Sequence, residues 1–516
     1  MGTRKSDYGT LKESLSRRDL LRAGTFVLPA AALVPGFFSQ SARAQTAATF
    51  DYYISPTGSD NNAGTQASPW SITAINTKQA TYAGKRVGLL DGTYSIRSLI
   101  QALPGDGYDT ALTIASGTAT NVTVIQAVNQ GKAVIDCGLP TVNNPAMGYS
   151  SSTGQYFTID GLKFINGGSK IIHCGLYGAN YNNQGITIQN CEFTGQNTSG
   201  FAAGNNFSCI ELQGTLNAVI RNCYTHDNIG NLGPKNGNHF TSFIQWYCHG
   251  TLMEFNTFLS PGTCYGKEQG NAGLTFRYNY IDCTGWTESQ TLFDFCGETT
   301  AATGFNTNIH HNVLVGPTCD LRSHNAGDYF ADPVSIYNNT VVILNSSSPT
   351  PTGFMADINT GLLTHYNNII YSQATGDLDL VCMNVEAPGL MDYDLFYSST
   401  GSYVYGYFSA ATSQTRNGTS SFSTWKTTMH GSPEAHALNA TNPQFVNLGG
   451  IGASNYKLQS TSPAINAGRS NGTTGGTACD MGAWGNGAPA IIGSSIPTGG
   501  SAPAQQIPQA PSLTVS

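Results

Sequence analysis

Polar and charged side chains recur at alternate positions in six short, strand-like segments of this sequence. The segments span residues 209–213, 243–247, 264–268, 292–296, 319–324 and 355–359. Because side chains alternate between the two faces of a β-strand, the apolar residues of each segment are expected on one face and the polar residues on the other. The predicted outward row consists of Glu211, Gln213, Gln245, Tyr247, Tyr265, Lys267, Asp294, Asp320, Arg322, His324, Asp357 and Asn359. In a chain with only 10% charged residues, such a row is typical of a groove that binds a polar ligand.

Two kinds of catalysis are open to this row. Lys267 can act as a general base if it is partly desolvated and crowded by cations, while Arg322 stabilises the negative charge that develops on the substrate. Alternatively, Asp294 and Asp320 on neighbouring strands would stand ~5–7 Å apart, a separation suited to glycoside hydrolysis. His324 can assist either reaction.

Further ligand contacts are predicted beside the row. A Gly/Asn-rich insertion at 228–238, with Lys235 and His239, is expected to overhang the groove as a binding loop, and Lys235 is a second candidate for the base. The expected substrate-binding residues are Glu211, Gln245, Tyr247, Tyr265, Lys235, His239, Asp357 and Asn359. A calcium ion would prefer carboxylate oxygens, so its candidate ligands are Asp294, Asp320 and Glu211.

An internal repeat indicates how the strands that carry this row are arranged. A β-rich run, an Asn or Asp, and an apolar or aromatic residue two positions later recur at intervals of 23–34 residues. The repeated residues are Asp160, Asn190, Asn222, Asn256, Asn279, Asn312, Asn339, Asn368 and Asp394. The spacing fits a coil of three short strands and three turns, and coils stacked ~4.8 Å apart pair their backbone amides. The sequence therefore predicts an all-β fold, a parallel β-helix over 45–485, with the repeated Asn as an interior turn residue that bonds to the coils above and below. A β-sandwich with loop asparagines is the alternative.

Cysteine placement follows the same repeat. Two of the twelve cysteines, Cys191 and Cys223, directly follow the repeated Asn of consecutive coils, so we expect them to stack as inward-facing neighbours. Either a disulfide or a reduced, well-packed pair is compatible with that position.

The two ends of the chain have the composition of processing and tail segments. Arg17-Arg18, the apolar run 25–38 and Ala42-Arg43-Ala44 predict a cleaved twin-arginine export signal over 1–44, because the apolar run is too short to span a membrane. The remaining chain has 16 basic and 27 acidic residues, a net charge of −11, which argues against nucleic-acid binding. Residues 486–516 are predicted to form a disordered Gly/Pro/Ser/Ala tail. We expect a monomer in the periplasm or outside the cell, with no membrane contact after cleavage.

Residues 53–65, 442–446 and 462–468 resemble the opening strand and closing coils of secreted right-handed parallel β-helix proteins, many of which are polysaccharide lyases. Lys267 followed by Arg277-Tyr278-Asn279 is similar to lyases of the chondroitinase B and alginate lyase kind. The resemblance implies that Lys267 abstracts the proton alpha to a uronate carboxylate, while calcium and an arginine neutralise charge. Phe295 and Cys296 stand where those lyases have Arg and His, so Arg322 or His324 would have to replace them.

Three functions remain open on this reading. The resemblance implies a lyase that cleaves an acidic polysaccharide by β-elimination. The Asp294 and Asp320 pair would instead make a glycoside hydrolase, and a non-catalytic carbohydrate-binding or adhesin-like solenoid needs no catalytic residue. The polysaccharide, the position of cleavage along it and the calcium requirement are not determined by the sequence.

Overall fold

The computed structural model describes residues 49–105, 109–150, 154–176, 183–197, 206–228, 239–259, 263–265, 271–284, 293–294, 306–316, 321–322, 333–344, 355–356, 363–373, 379–384, 390–401, 404–409, 412–419, 421–428, 434–470, 479–485 and 488–495. The predicted export signal lies outside these residues. None of the helices within them is long and apolar enough to cross a membrane.

Three parallel sheets run along the molecule. The strands of the first sheet are Tyr52–Ile54, Arg86–Leu89, Thr123–Ala127, Gln155–Asp160, Asn183–Gln189, Val219–Arg221, Leu252–Glu254, Thr275–Arg277, Thr307–His310, Val334–Tyr337, Leu363–Tyr366 and Leu390–Asp392, with Thr215–Leu216 paired to the fifth. Those of the second are Leu112–Thr113, Met147–Tyr149, Lys170–Gly175, Asn206–Gln213, His239–Trp246, Thr263–Tyr265, Phe293–Asp294 and Leu321–Arg322. Those of the third are Gly92–Ser95, Ala133–Asp136, Lys163–Ile165, Glu192–Thr194, Tyr224–His226, Thr257–Leu259, Tyr280–Asp282, Val313–Gly316, Thr340–Ile343, Ile369–Ser372, Leu395–Ser398 and Leu438–Asn439.

A fourth, smaller sheet and a few short helices complete the described structure. The strands of this sheet are Met355–Ala356, Asp379–Asn384, Val404–Ser409 and Thr412–Thr419, and the last two are antiparallel. The helices are Ala74–Thr77, Gln79–Tyr82, Arg97–Gln101 and Phe422–Thr428, with a 3-10 helix at Ala453–Tyr456.

The order of the strands shows that the chain coils. Asn206–Gln213 belongs to the second sheet, Val219–Arg221 to the first and Tyr224–His226 to the third, after which His239–Trp246 pairs in parallel with Asn206–Gln213. Each coil thus contributes one strand to each sheet, which is a parallel β-helix. The prediction of this fold is confirmed, and the β-sandwich alternative is excluded because its sheets are antiparallel.

The interior is filled by stacked apolar columns. In the first sheet, Ile220, Met253, Phe276, Ile309 and Ile336 are paired coil to coil and are at most 3% exposed. Their neighbours on either side in each strand face outward, as the period of two requires.

An asparagine ladder runs through the turn between the first and third sheets. It consists of Asn256, Asn279, Asn312, Asn339 and Asn368 and ends at Asp394. Each Nδ2 donates to the side-chain oxygen of the next coil at 3.0–3.1 Å, and all six residues are at most 1% exposed. The predicted interior role of the repeated residue is confirmed for these six coils.

In the three preceding coils, the residue predicted as the repeated Asn or Asp does not occupy the ladder position. Arg221 pairs with Glu254, so Asn222 corresponds to Phe255, and Cys223 takes the ladder position of Asn256. Asn190 is displaced by one residue in the same way, and Asp160 by two, because Asp160 pairs with Gln189. Both Asn190 and Asn222 have the left-handed backbone that Asn tolerates, with φ of 56° and 49°, so sequence identity alone could not tell this turn position from the next.

The two cysteines occupy the position predicted for them. Cys191 and Cys223 are fully buried and free, and the Cys223 backbone N–H donates to Asn256 Oδ1 at 2.9 Å. Their apolar side chains therefore begin the column that the amides continue, and the reduced pair is the alternative that the structure adopts.

A C-terminal strap, residues 479–485 and 488–495, runs back along the outside of this turn. Asn338 Nδ2 donates to Gly482 O at 3.2 Å, Gly493 N–H to Tyr278 O at 2.8 Å, and Ser495 N–H to Asn222 Oδ1 at 2.7 Å. These contacts correct the prediction of disorder from residue 486, since 488–495 bond to earlier coils. Residues 496–516 lie outside the described part.

Candidate functional site

The second sheet contains the strands on which the catalytic residues were predicted. Asp294 is paired directly with Arg322, and Phe293 with Leu321. The cross-strand partner of Asp294 is therefore an arginine. Asp320 lies outside the described residues, so the aspartate pair for glycoside hydrolysis stays a prediction.

The predicted continuous outward row is wrong in its register. Glu211 is paired with Ile244, whereas Gln245 is paired with Leu212 and is 1% exposed. Tyr265 is paired with Phe243, a core residue. Side chains do alternate along each strand, but the predicted outward positions of neighbouring strands are not paired with one another. The register between strands is set by backbone pairing and not by the polar pattern of each strand.

Tyr247 is also outside the predicted row. The strand His239–Trp246 ends before it, and Tyr247 has a left-handed backbone with φ of 51°. A non-glycine residue in this conformation marks a turn, so strand alternation does not apply to its side chain.

A buried charged cluster lies on the second sheet, formed by Lys170, His173, Glu211 and Gln213. Lys170 Nζ lies 2.8 Å from Glu211 Oε2, and His173 Nδ1 lies 3.8 Å from the same oxygen. Gln213 Nε2 donates to Glu211 Oε1 at 2.6 Å. Glu211 is 2% exposed and Lys170 9% exposed. The prediction that Glu211 and Gln213 face solvent is therefore wrong, since both are buried in this network.

The cluster determines the charge of Glu211. Burial alone would raise the pKa of Glu211, but Lys170 and His173 favour the carboxylate and bring that pKa to about 2. A buried ion pair contributes little net stability, because desolvation offsets the attraction of the charges. Its presence on the second sheet, where the ligand contacts are predicted, therefore makes it a candidate for binding or positioning a ligand.

Sequence reasoning missed Lys170 and His173, although a signal for them was present. The strand Lys170–Gly175 precedes the predicted segments by one coil, and His173 is paired with Glu211. Extending the alignment of strands back by one coil would have placed a lysine and a histidine beside that glutamate.

The other predicted site residues fall into two groups. His239, Tyr265, Asp294 and Arg322 are placed as strand positions. Lys267, Asp320, His324, Lys235, Asp357 and Asn359 lie outside the described residues, and their roles stay predictions.

The predicted calcium ligands are not all close together. The strands of Glu211 and Asp294 are separated by His239–Trp246 and Thr263–Tyr265, which makes three strand spacings. At ~4.8 Å per spacing the two positions are ~14 Å apart, too far to share one ion. Glu211 also has both oxygens engaged by Lys170 and Gln213. Glu211 and Asp294 therefore do not share one calcium ion. Asp320 lies outside the described residues, so its role as a ligand stays a prediction.

The first sheet has its own outward polar row. Arg221 Nε and Arg277 Nη2 lie 3.6 and 2.7 Å from the carboxylate of Glu254. Further along, His310 stacks on Tyr337 at 4.7 Å, and burial and His311 lower the pKa of His310 to about 2. These partners agree with packing rather than metal binding for His310.

Comparisons with known proteins agree with the fold. Residues 52–258 match the family model described as "Pel9A-like, right handed beta helix region". A crystal structure of pectate lyase Pel9A is 16% identical, with 84% of this chain and 95% of that chain covered and a TM-score of 0.39. An alginate lyase from Paenibacillus sp. str. FPU-7 is 16% identical over 60% and 91% of the two chains, with a TM-score of 0.32.

The similarity is not confined to enzymes. PfbA, a surface adhesin of Streptococcus pneumoniae, is 13% identical over 67% of this chain and 89% of that chain, with a TM-score of 0.35. No curated protein sequence is significantly similar to this chain. The strand order and the family model confirm the predicted right-handed parallel β-helix.

Proposed function

For this right-handed parallel β-helix, Pel9A-like over residues 52–258, we propose a polysaccharide lyase activity that cleaves an acidic polymer by β-elimination on the second sheet. The observation that carries the proposal is the pairing of Asp294 with Arg322. β-Elimination next to a carboxylate requires a positive group that neutralises the developing charge, and the pairing supports Arg322 in that role beside Asp294.

The proposed roles follow the chemistry of the reaction. Lys267 Nζ, in its neutral form, takes the proton alpha to the uronate carboxylate, and Arg322 offsets the charge that builds on that carboxylate. The electron pair left on carbon forms a double bond while the glycosidic C–O bond breaks. The leaving oxygen takes up a proton, so the products are an unsaturated uronate end and a new hydroxyl end.

The buried charged cluster is proposed to support binding rather than proton transfer. The ion pair between Lys170 and Glu211 joins two neighbouring strands, and the nearer of them is four strand spacings, about 19 Å, from the strand of Arg322. A polymer laid across the second sheet would span both places, which suits an extended chain of sugars. Calcium near Asp294 and Asp320 remains part of the proposal only as an additional positive charge.

The experiment that tests the proposal is an assay on a panel of uronic-acid and neutral polysaccharides. Ultraviolet absorbance of the unsaturated uronate and the number of reducing ends are followed together. Both signals are expected to rise on one or more acidic polymers. Reducing ends alone would identify a hydrolase, and retention of a polymer without either signal would identify a binding protein.

Matched lysine variants locate the base. Lys267→Ala is expected to abolish the absorbance signal, whereas Lys132→Ala, which changes an exposed lysine of an earlier coil, should leave it unchanged. Arg322→Gln should reduce kcat by at least 100-fold, as expected when a group that stabilises transition-state charge is lost. An unaltered rate in Lys267→Ala would contradict the assignment of the base.

Export belongs to the same proposal, because the polymer would lie outside the cytoplasm. Lys substitution of both Arg17 and Arg18 is expected to retain the protein in the cytoplasm with its first 44 residues uncleaved, as judged by cell fractionation and mass spectrometry. Secretion of that variant at the normal level would contradict a twin-arginine signal.

A further inference from the structure

One histidine and two carboxylates meet in the interior at the end of the asparagine ladder. His365 and Asp394 are fully buried, and Glu434 is 1% exposed. One nitrogen or oxygen atom from each residue lies within 4.8 Å of the others. None of the three belongs to the second sheet, so this interior cluster is separate from the proposed catalytic groove.

Glu434 occupies the place of a missing coil. Along the ladder, each backbone N–H donates to the side-chain oxygen of the next coil, as Asn368 N–H does to Asp394 Oδ1 at 2.7 Å. Asp394 N–H continues the pattern by donating to Glu434 Oε2 at 3.3 Å. The chain after the last ladder residue thus returns a carboxylate to the position that the next coil would have filled.

Glu434 has an unfavourable backbone conformation at this position. Its φ is 60°, in the left-handed region that a glutamate rarely adopts. Its N–H donates to Met391 O at 2.7 Å, and its carbonyl oxygen accepts from Lys426 Nζ at 2.9 Å. The ammonium group of Lys426 is therefore bonded to the main chain, and no hydrogen bond joins it to the Glu434 carboxylate.

The two carboxylates differ in how their oxygens are satisfied. Asp394 Oδ1 accepts two hydrogen bonds from Asn368, and Oδ2 faces His365 Nδ1 at 2.5 Å. Glu434 Oε1 is buried and has no hydrogen-bond partner among the described residues. Two buried carboxylates with one imidazole carry an excess of negative charge, which is costly unless a cation or an added proton compensates it. The unpartnered oxygen points to a ligand that is positively charged.

We propose that His365, Asp394 and Glu434 bind one divalent metal ion of the zinc class. The ion would fasten the segment that contains Glu434 to the last coil of the ladder. A nitrogen ligand with two carboxylates suits Zn²⁺, whereas Ca²⁺ prefers oxygen ligands throughout. Zinc bonds of ~2.0–2.2 Å require ligand atoms within ~4.4 Å of one another, so small side-chain rotations bring the present 4.8 Å group into range.

The test uses the full chain, freed of metal with a chelator and then titrated with Zn²⁺ in a calorimeter. One Zn²⁺ per chain and a raised Tm are expected. Glu434→Gln keeps the size of the side chain and should weaken binding at least 10-fold. The matched control is His436→Gln, which removes a histidine that is 60% exposed and paired with Asp392 on the same coil, and it should bind like the parent.

Two results would overturn the proposal. In the first, the parent protein binds no Zn²⁺ and its Tm does not rise when Zn²⁺ is added, while the Tm of Glu434→Gln is unchanged or higher. This result would mean that a protonated Glu434 caps the ladder without metal. The other is loss of binding in His436→Gln with retention in Glu434→Gln, which would place the ion at the surface. If Glu434→Gln does not fold, the Zn²⁺ stoichiometry and the change in Tm on metal binding, measured for the parent and for His436→Gln, decide the question without it. The outcome does not depend on whether the second sheet is catalytic.

Discussion

The asparagine ladder and the charged cluster of the second sheet both bury polar side chains, but they differ in how completely those groups are satisfied. Along the ladder, Asn312 Oδ1 accepts from the N–H and the Nδ2 of Asn279, and its own Nδ2 donates to Asn339. Around the cluster, buried oxygens of Gln213, Gln245 and Ser208 have no partner among the described residues. A polar group that is buried without a partner costs free energy, and folding by itself gives no reason to retain it.

This difference separates scaffold from site. From Asn256 to Asn368 the ladder repeats one interaction in each coil, so each amide stabilises its neighbours and no vacancy is left for a ligand within this stretch. The cluster mixes a lysine, a histidine and a glutamate within two strands and repeats in no other described coil. Unsatisfied buried groups in a groove sheet are what a ligand-binding surface would leave for its ligand.

The largest expected effect comes from breaking the buried ion pair. Glu211→Gln leaves the Lys170 ammonium buried without its counter-charge and should lower the free energy of unfolding by about 3–5 kcal/mol. Urea denaturation followed by circular dichroism measures this. The double variant Lys170→Met/Glu211→Leu should recover most of the loss while still failing to bind polymer. Recovery of both stability and binding would make the cluster a packing feature only.

The next effect is interruption of the ladder. Asn312→Ala removes the acceptor of two Asn279 donors in the dry interior and should lower the free energy of unfolding by about 2–4 kcal/mol. Asn308→Ala on the preceding strand is the control, since Asn308 is only partly buried and bonds to Asn306 O. Equal urea midpoints for the two variants would show that the ladder adds no more than a surface amide does.

A smaller and local effect is expected at the C-terminal strap. Ser495→Pro removes the N–H that donates to Asn222 Oδ1, whereas Ser495→Ala keeps it. Loss of one such bond should ease local opening by about 1 kcal/mol, seen as faster hydrogen exchange at 488–495 in the proline variant. The same exchange rate in both variants would mean that other contacts hold the strap.

The smallest expected effect is a dependence of Tm on pH that comes from His226 on the third sheet. His226 lies 3.0 Å from Glu192 and 2.7 Å from Asp227, and although burial opposes protonation these partners raise the pKa of His226. The charged form therefore stabilises the fold fully below the ordinary value of 6.5, and this contribution is lost as pH rises through the higher folded pKa. Tm of the parent should fall over that range relative to His226→Gln. Parallel Tm curves for the two proteins would remove the network as a source of pH dependence.

Much of the scaffold follows from local sequence. An Asn tolerates the left-handed turn and offers both a donor and an acceptor, so its recurrence predicted a coil and an interior ladder. The phase of each strand does not follow in this way. Asn190 and Asn222 stand one residue before the ladder position, and the structure places Cys191 and Cys223 in the column instead. A difference of one residue is invisible when both neighbours suit a turn.

The residues of the candidate site were harder to predict from the sequence, because their contacts also depend on the register between coils. The sequence identified the strands of Asp294 and Arg322, which belong to the second sheet, and it supplied Glu211 as a polar residue of that sheet. It did not place Arg322 opposite Asp294, or Lys170 and His173 beside Glu211, since those pairings join residues 28, 41 and 38 positions apart.

By itself the sequence determined that this chain forms a parallel β-helix, because the period of the repeat and the chemistry of asparagine act within one coil. Only the tertiary structure decided which side chains share a column, since register depends on the backbone pairing of each coil with the next. It also decided that Glu434, 40 residues beyond Asp394, returns to cap the ladder. Contacts between distant segments arise from packing, and no local pattern encodes them.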